Sequence, residues 1–417
     1  MFSAKFELEV ITPLMTSSGK TIDGSPYPKN TIRGRIILKK KIKTSEIRVP
    51  SIKGVIRWWF RAITPHNDIK ELKKIEEGIF GSTEKASKIR MRIEYENLLT
   101  GNWSNKDRKK YESFVKNKRY SINGFYYLSF TNFVESTKKG ETDVRQFIAP
   151  RSKFNLIISS LDKNAFENAV ISFWFALNFG GFGNRARRGF GDLKVRKVEI
   201  NPKPANGEIL NSFSFNPDNT LESYNEMIKN GIEGWKKYFE KKGCGSTNKY
   251  TNILDAKFYL IDKENLNENI ITEYPLDSWE KALDDAGKRF QYFRQEYPND
   301  KQEILKLNER RMWIGNLKKP VFGLPIRYRF NKKRFFPVIE HKKKGDMGDH
   351  FASPVWISIH KIGENYYPAF LFMFSNPAQG MDITVNGLNG KFAQNSNVFD
   401  EFITEQLKSI TPIEFKP

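Results

Sequence analysis

Apolar residues recur at two spacings near the start of the chain, and each spacing predicts a different kind of element. Residues 6–10 alternate between apolar and polar side chains, as in a half-buried strand. Residues 52–63 place apolar side chains three and four positions apart, which predicts a helix with one face against a sheet. Ser51 is the predicted N-cap of this helix, and Pro65 marks its end. The Gly- and Pro-punctuated segment 12–29 predicts a turn or hairpin.

The following segments continue this succession of strands and helices. A second amphipathic helix is predicted at 166–177, and strands are predicted at 88–95, 125–133, 145–160 and 192–200. The resulting order is strand, helix, strands, helix, strand. This is the βαββαβ order of a ferredoxin-like unit, with an insertion around 97–123.

The same order of elements recurs in the second half of the chain. Residues 201–250 are rich in Asn, Pro, Gly and Lys, contain one short helical pattern, and are predicted to form a connector. Beyond them the patterns predict strand 253–261, helix 279–295, strands 324–330, 354–360 and 366–374, helix 398–407 and a short last strand. The expected fold class is therefore α+β, with tandem ferredoxin-like, RRM-like domains at 1–200 and 251–417 that carry insertions.

The charge balance of the chain indicates a class of partner. The 417 residues include 70 Lys and Arg against 48 Asp and Glu, which gives a formal net charge of +22. A field of this sign attracts polyanions, so nucleic acid is the first partner to consider. A Lys-rich proteome would produce the same excess without such a partner. The positions of the basic residues along the chain must therefore distinguish between these two explanations.

Several other classes are not expected from this sequence. It contains no run of about 18 or more apolar residues and no basic and apolar leader, so neither a membrane span nor a secretory signal is predicted. A single cysteine, Cys244, leaves no internal disulfide or Cys-based zinc cluster and fits a reducing cytoplasm. The histidines show no metal-binding spacing. We therefore expect no metal and no cofactor.

Basic residues form a stripe on the helix predicted at 52–63. Lys53, Arg57 and Arg61 are spaced by four, so their charges stack along one side of the helix and repel one another. Cations are also disfavoured at a helix N-terminus. We therefore expect a compensating anion, namely a phosphate at the amides that follow Ser51. A solvated helix face, with Ser51 acting only as a cap, is the alternative.

The Gly/Arg loop, Phe179 to Asp192 with the sequence FGGFGNRARRGFGD, is the strongest candidate for contact with RNA. Glycines permit positive φ angles and close backbone approach, and guanidinium groups bind phosphates through two hydrogen bonds. Phe182 and Phe190 are expected to stack on bases. The candidate contacts are Gly180, Gly181, Gly183, Arg185, Arg187, Arg188, Gly189 and Gly191. A helix C-cap with a β-bulge and solvated arginines is the alternative.

This loop does not have the features of a nucleotide-binding loop. No Gly-Lys-Ser or Gly-Lys-Thr follows its glycines, as in a Walker loop. The loop also follows a predicted helix, whereas a dinucleotide-binding fingerprint opens one. ATP and NAD are therefore not expected as ligands.

Three further patterns are weaker. On a strand, Arg327 and Arg329 would share one face, although a charged edge strand explains them equally well. His66 follows the basic helix and could act as a general base in metal-independent RNA cleavage. The run from Glu340 to His350 contains possible metal ligands, but its lysines and glycines fit a flexible loop better.

Several segments together resemble one protein family. VPSIKGVIRWWFRAI (49–63), IFGST (79–83) and GGFGNRARRGFGDL (180–193) resemble the RAMP superfamily of CRISPR proteins, and within it subunit one of the Cmr, or type III-B, effector complex. ASPVWISIHKI (352–362) is similar to the second half of that subunit. The second domain has no comparably charged glycine-rich loop.

The resemblance implies two ferredoxin-like RAMP domains in a cytoplasmic ribonucleoprotein where crRNA pairs with invading target RNA. It further implies a position at the 3′ portion of the guide, help in capturing target RNA, and other Cmr subunits as partners. The target-cleaving aspartates of that family belong to another subunit, so no catalytic residue is carried over. The positions implied to contact RNA are Ser51, Lys53, Arg57, Arg61, Arg185, Arg187, Arg188 and the loop glycines.

Three hypotheses follow from the sequence. The first is a non-catalytic RNA-binding subunit held by phosphate contacts. The second is a metal-independent endoribonuclease that processes CRISPR RNA, with His66 as its candidate base. The third is a protein-interaction scaffold with incidental charge, which would dock through aromatic surfaces such as Phe335 and Phe336.

Overall fold

In the computed structural model, the described residues of the first half of the chain form eleven strands and four helices. The structure describes residues 1–31, 34–103, 110–117, 120–130, 136–138, 141–215, 217–243, 245, 250–263, 270, 272–296, 300, 302, 304, 317–323, 326–327, 338–341, 352–375, 382–385, 388–391 and 395–415, and only the backbone of some strand residues among them. The elements are β1 (Phe2–Val10), β2 (Thr21–Thr31), β3 (Gly34–Lys43), α1 (Val49–Ile63), α2 (Ile69–Phe80), β4 (Ile89–Asn97), β5 (Thr100–Asn102), β6 (Ser113–Phe114), β7 (Ser121–Ile122), α3 (Gly124–Ser129), β8 (Ser136–Lys138), β9 (Glu141–Ile148), β10 (Lys153–Ser160), α4 (Lys163–Phe179) and β11 (Leu193–Asn201).

The second half begins with a long helix and then alternates strands and helices. Its elements are α5 (Leu221–Lys242), β12 (Lys257–Leu260), α6 (Trp279–Glu296), β13 (Ile326–Arg327), β14 (Val338–His341), β15 (Val355–Ile362), β16 (Asn365–Phe372), β17 (Asp382–Val385), β18 (Leu388–Lys391), α7 (Asn395–Gln406) and β19 (Ile413–Glu414). Short 3-10 turns occur at Ala186–Arg188, Ile209–Ser212 and Lys319–Phe322.

An antiparallel sheet with the strand order β11-β1-β10-β4 forms the centre of the first half. Every second residue of β1 and of β10 is buried, because successive side chains of a strand point to opposite faces. Helices α1 and α4 pack together and contact the strands of this sheet. The predicted strands and helices of this unit are confirmed, except for the segments discussed below.

A second antiparallel sheet has the order β15-β16-β12-β19. Helix α6 contacts β15 and β16, and α7 packs on α6. When the four strands of either sheet are numbered in chain order, both sheets have the order 4-1-3-2. In both, helical structure follows the first strand (α1 and α2, or α6), and one helix follows the third (α4 or α7). The fold is thus a mixed α and β arrangement built on antiparallel sheets.

The insertions form further small sheets. Strands β2 and β3 pair as a hairpin, which β9 extends through a parallel pairing with β3, and β5 and β8 pair with β9. Strands β13, β14, β17 and β18 make a four-stranded sheet, and β6 pairs with β7. The segment predicted as a turn or hairpin at 12–29 therefore supplies the first strand of a hairpin.

Two sequence-predicted elements were wrong. Of the strand predicted at 125–133, residues 125–129 are helical, in α3, and residues 131–133 lie outside the described residues. The carboxamide oxygen of Asn123 accepts a hydrogen bond from the amide of Tyr126 at the start of α3. Helix α3 packs against α6 so closely that a Cβ at Gly124 would overlap backbone atoms of α6. The strand predicted at 145–160 is two strands, β9 and β10, interrupted by four residues. A short aromatic run does not distinguish a strand from a buried helix.

The segment predicted as a connector contains a 22-residue helix, α5, that is longer than its sequence pattern indicated. Trp235 of α5 is fully buried, and its indole N–H donates a hydrogen bond to the carbonyl oxygen of Ile63 at 2.9 Å. The aromatic side chains of both halves also meet directly. Phe179 lies 5.0 Å from Phe258 between ring centroids. The buried face of α5 thus belongs to a hydrophobic core that includes residues of both halves of the chain.

Candidate nucleic-acid interface

The basic stripe of α1 is paired with a buried carboxylate on α2. Arg57 donates from Nε to Oε1 of Glu76 at 2.6 Å, and Arg61 donates from Nη1 to both carboxylate oxygens at 2.9 Å. The Glu76 side chain is 5% exposed, whereas those of Arg57 and Arg61 are 32% and 39% exposed. From the sequence, we expected a phosphate as the compensating anion. In the structure, the Glu76 carboxylate is this anion.

Helix α2 presents Glu76 inward because of its helical spacing. Asp68 caps the helix and accepts hydrogen bonds from the amides of Lys70 and Glu71. Leu72 and Ile79 are buried on one face, and Glu76 lies between them at the same spacing. A glutamate among the apolar positions of this helix face was therefore the sequence signal for a buried ion pair. The sequence prediction did not use it.

The first turn of α1 differs from the prediction. Arg48, not Ser51, is the N-cap residue, and no side chain caps this helix end. Ser51 lies inside the first turn, where its amide donates to the carbonyl oxygen of Arg48 at 3.0 Å. Pro50 in this turn places the helix start earlier, because its fixed φ suits a first helical turn. Lys53 donates to Oγ of Ser87 at 2.9 Å, and burial, with a contribution from Arg57, lowers the pKa of Lys53.

The glycines of the Gly/Arg loop serve close internal packing. Gly191 has a φ of +77°, and a Cβ there would overlap the carbonyl oxygen of Phe182. The amide of Phe182 donates in turn to the carbonyl oxygen of Gly191 at 3.0 Å. Phe182 and Phe190 are 2% and 0% exposed, so the expectation that they stack on bases was wrong. A buried ring cannot reach a nucleobase.

The loop is attached to β15 in the second half of the chain. The amide of Gly189 donates to the carbonyl oxygen of Ile357 at 2.9 Å, and Arg187 donates from Nη1 to that of Ser353 at 2.7 Å. At the end of the loop, Oδ2 of Asp192 accepts from the amide of Ile359 at 3.0 Å. Burial raises the pKa of the Asp192 carboxyl to about 8. The loop therefore joins the two halves of the fold.

Two arginines of the loop lie against aromatic rings. The guanidinium carbon of Arg187 is 5.1 Å from the ring centroid of Trp58 and 4.7 Å from that of Trp356. The guanidinium carbon of Arg188 is 4.9 Å from the ring centroid of Phe290. Burial lowers the pKa of Arg187 to about 10 and that of Arg188 to about 9, so both remain charged at neutral pH.

A cleft of about 600 Å³ brings part of the stripe and part of the loop together. Its walls come from α1, α2, the Gly/Arg loop and residues 250–251, and its polar and aromatic lining includes Arg57, Trp58, Arg61, Glu76, Glu77, Arg187 and Tyr250. Ser51, Lys53, Arg185 and Arg188 do not line it. Neither do Gly180, Gly181, Gly183, Gly189 and Gly191. Trp58 and Tyr250 were not among the sequence candidates.

The remaining candidates lie elsewhere. His66 contacts the backbone of Asp68 through Nδ1, and its own amide donates to the hydroxyl oxygen of Tyr250 at 2.8 Å. The backbone of Arg327 lies in β13, which pairs with β14. Cys244, Arg329, Phe335, Phe336 and residues 342–350 lie outside the described residues.

The described residues also bear on metal binding and on membrane insertion. Within the described ranges, no group of three or more His, Cys, Asp or Glu side chains is arranged to hold a metal ion. Of the helices that the structure describes, none has the length and apolar character needed to cross a membrane.

The comparisons with known proteins agree with the class suggested by the sequence. The family model of the RAMP superfamily matches residues 7–194. The CRISPR system Cmr subunit Cmr1-2 of Pyrococcus furiosus is 33% identical over 211 residues, which cover 48% of this chain and 97% of that protein. Cmr1-1 of the same organism is 24% identical over 336 residues, or 79% of this chain and 81% of that protein. The chain is thus a RAMP protein.

Its particular family follows from these relatives. The chain belongs to the Cmr1 family of CRISPR Cmr subunits, and the resemblance stated from its motifs is confirmed. The crystal structure of Cmr1 from Pyrococcus furiosus in its apo form superposes with a TM-score of 0.57 at 17% identity, covering 100% of this chain and 99% of that one. At this level of identity, the similarity concerns the fold alone.

Proposed function

We propose that this chain is a non-catalytic RNA-binding subunit of a cytoplasmic type III-B CRISPR Cmr ribonucleoprotein. The observation that carries the proposal is the cleft where Arg57, Arg61 and Arg187 meet beside Trp58, in a chain of the Cmr1 family. Its partners are crRNA, target RNA and other Cmr subunits. We place it at the 3′ portion of the guide, where it helps to capture target RNA in antiviral defence.

We further propose that the two sheets are the cores of tandem ferredoxin-like RAMP domains, at 1–200 and 251–417. The shared 4-1-3-2 strand order and the matching helix positions support this assignment. Residues 201–250 connect the domains and contribute α5 to the interior between them. The Gly/Arg loop, at the end of the first domain, contacts β15 of the second. The cleft therefore lies where the domains meet.

The charges around the cleft suit a single-stranded polyanion. Glu76 cancels one of the two positive charges of Arg57 and Arg61, which leaves one positive charge from these three residues. Lys73 and Glu77 also line the cleft, and their charges offset each other at 3.7 Å. Arg187 adds another, because it is held by an aromatic ring and a backbone carbonyl and not by one of the carboxylates that the structure describes. Guanidinium groups in such surroundings bind phosphate strongly.

The absence of catalysis is part of the proposal, and it can be tested directly. We expect no specific cleavage when the pure full-length chain is incubated with CRISPR repeat RNA in the presence of EDTA. The contacts of the His66 ring with the backbone of Asp68 support this expectation, because they describe a local turn. Specific cleavage that His66→Ala abolishes would favour the endoribonuclease instead.

The RNA site is tested by replacing the three charged residues Arg57, Arg61 and Glu76 with uncharged ones. Arg57→Gln, Arg61→Gln and Glu76→Gln together remove one net positive charge and leave no unpaired charge behind. We expect RNA affinity to fall, and the slope of log K against log salt to become shallower by about 0.7 to 1.4, as for the loss of one or two phosphate contacts. Fluorescence anisotropy with labelled single-stranded RNA at several salt concentrations measures both quantities.

The matched control is Arg92→Gln, which changes the net charge by the same amount. Arg92 lies on β4, and its side chain is 70% exposed. We expect this variant to bind RNA with almost the wild-type affinity and salt slope. Equal effects of the triple variant and of Arg92→Gln would mean that only overall charge matters, and the cleft would be abandoned as the site. Undetectable RNA binding of the wild-type chain at low salt, with normal assembly with partner subunits, would favour the scaffold.

A further inference from the structure

We propose that the cleft between α1, α2 and the Gly/Arg loop is a subsite for one unstacked nucleotide of single-stranded RNA. In this arrangement the base lies against the layer formed by Trp58 and Arg187, and its phosphate is held by Arg57 and Arg61. The inference rests on the proposed RNA-binding function and deepens it, because it assigns a base-stacking surface to one named ring.

Three tryptophans meet at this point, and they differ in exposure. Trp59 is fully buried and Trp356 is 5% exposed, whereas Trp58 is only partly buried and lines the cleft. Trp58 packs edge-on against Trp59 at 5.1 Å and lies 4.9 Å from Trp356 between ring centroids. The two inner rings thus hold the outer ring in place. A rigid, partly exposed aromatic ring is the kind of surface on which unpaired bases stack.

Arg187 extends this aromatic layer. Its guanidinium lies against both Trp58 and Trp356, and its hydrogen bond to the carbonyl oxygen of Ser353 fixes the plane. Guanidinium planes stack on bases as aromatic rings do. The pKa of about 10 keeps Arg187 charged at neutral pH. This residue therefore supplies both a stacking plane and a charge beside the phosphate position.

Glu76 orients the two arginines on the other side of the cleft. Its carboxylate engages Nε of Arg57 and Nη1 of Arg61, so each side chain is held through one nitrogen. About a third of each arginine side chain remains exposed, and both line the cleft. Arginines held in this way lose little conformational entropy when they bind a phosphate, because their orientation is already fixed.

The size and remaining lining of the cleft favour a nucleotide over an acidic peptide. A volume of about 600 Å³ lies within the range of small-ligand pockets and is too small for a duplex. Glu77 also lines the cleft, where its Oε1 lies 3.7 Å from Nζ of Lys73, and its carboxylate can accept a hydrogen bond from an N–H group of a base. An acidic side chain offers no planar surface to the ring of Trp58, whereas a base does. Leu72 and the partly exposed Ile69 complete an apolar wall.

The test compares two oligoribonucleotides of equal length and charge, of about six nucleotides, within the site size of single-strand-binding modules. One is oligouridylate and the other is abasic throughout, so that the comparison does not depend on binding register. We expect the full-length wild-type chain to bind the base-containing strand about tenfold more tightly or better, as one good stack provides. Trp58→Leu should lose about tenfold in affinity for oligouridylate and keep its affinity for the abasic strand.

The unchanged abasic affinity shows that the Trp58→Leu variant is folded and still binds phosphates, and Trp58→Phe should restore most of the base preference. If Trp58→Leu lowers the affinity for both strands equally, or for neither, the nucleotide subsite is refuted while RNA binding stands. If the wild-type chain binds neither strand at low salt, the proposed function itself fails. If Trp58→Leu instead prevents assembly with partner subunits and leaves RNA affinity unchanged, the cleft is a protein-docking site and our inference is wrong.

Discussion

Replacement of Glu76 by glutamine should move folding stability and RNA affinity in opposite directions. In the folded protein, this carboxylate accepts three hydrogen bonds of 2.6 to 2.9 Å from two arginines and is almost completely buried. Glutamine has nearly the same shape and can still accept hydrogen bonds from the guanidinium groups. What it removes is the negative charge. The variant therefore separates the electrostatic role of Glu76 from its packing role.

The loss of stability can be bounded from the geometry. Breaking a fully buried ion pair by neutralising one partner costs about 3–5 kcal/mol. Here both arginines are about one-third exposed, so solvent stabilises the unpaired guanidinium groups. We therefore expect the free energy of unfolding to fall by about 1–3 kcal/mol, which is the range of a hydrogen bond to a charged group. Urea denaturation monitored by circular dichroism measures this change.

The gain in RNA affinity follows from the charge that is uncovered. At a separation of about 6 Å, one additional positive charge attracts a phosphate by about 0.7 kcal/mol in bulk water and by about 3 kcal/mol at the effective dielectric of a protein surface. These energies correspond to an affinity increase of about 3-fold to 100-fold at low salt. The increase should shrink as salt is added, because exposed charges are screened.

The matched control for this experiment is Glu71→Gln on the same helix. Glu71 pairs with Lys74 at 3.4 Å, its side chain is 47% exposed, and it does not line the cleft. The control carries the same change in net charge, and we expect little effect on stability or affinity. A Glu76→Gln variant that loses stability with unchanged or weaker RNA binding would refute the reasoning, because Arg57 and Arg61 would then be purely structural.

Three further predictions concern the joint between the two halves of the chain. Gly191→Ala should destabilise the fold by about 3 kcal/mol or more. Its control, Gly207→Ala, has a similar φ but open space around it, and should lower the free energy of unfolding by only about 1 kcal/mol. Comparable losses for the two variants in urea denaturation would contradict the packing argument. Because burial raises the folded-state pKa of Asp192 to about 8, above its unfolded value, the stability that Asp192 contributes is lost as pH rises from about 4 to 8. The melting temperature of wild type should therefore fall more between pH 6 and 8 than that of Asp192→Asn, and parallel curves would exclude this carboxyl as the cause. His360 of β15 lies with Nδ1 2.9 Å from the hydroxyl oxygen of Tyr224 on α5. Burial lowers the pKa of His360 to about 3, so the stability due to His360 is lost as pH falls below about 6.5. His360→Gln should therefore flatten the melting curve between pH 6.5 and 4, and an unchanged acid slope would argue against this role.

The periodicity of apolar residues predicted most of the framework. The helices at α1, α4, α6 and α7 and the strands of both main sheets follow from spacings that reflect burial on one face. The chemistry of the Gly/Arg loop was less accessible. Its glycines and arginines indicated close backbone approach and anion binding, but the sequence did not show that the closely approaching backbone was the protein's own, as at Phe182 of the same loop.

The two arginine groups illustrate why partners are harder to predict than elements. The repulsion along the α1 stripe was correctly judged to need an anion, but α2 supplied it through Glu76, 15 residues from Arg61 in the sequence. Periodicity within one helix contains no information about which neighbouring helix will pack on it. The N-cap of α1 was missed for a similar local reason, since Pro50 allowed the helix to begin before Ser51.

The structural and electrostatic roles of the loop arginines are compatible because of the partners these residues use. An arginine that joins two domains through a carboxylate has its charge cancelled. Arg187 instead uses a backbone carbonyl and two indole rings, which orient its guanidinium without neutralising it. The same side chain can therefore hold β15 in place and present a positive charge to the cleft. If the cleft binds RNA as proposed, one arginine of the Gly/Arg loop contacts the RNA directly. The loop glycines then support RNA binding by fixing the position of that arginine.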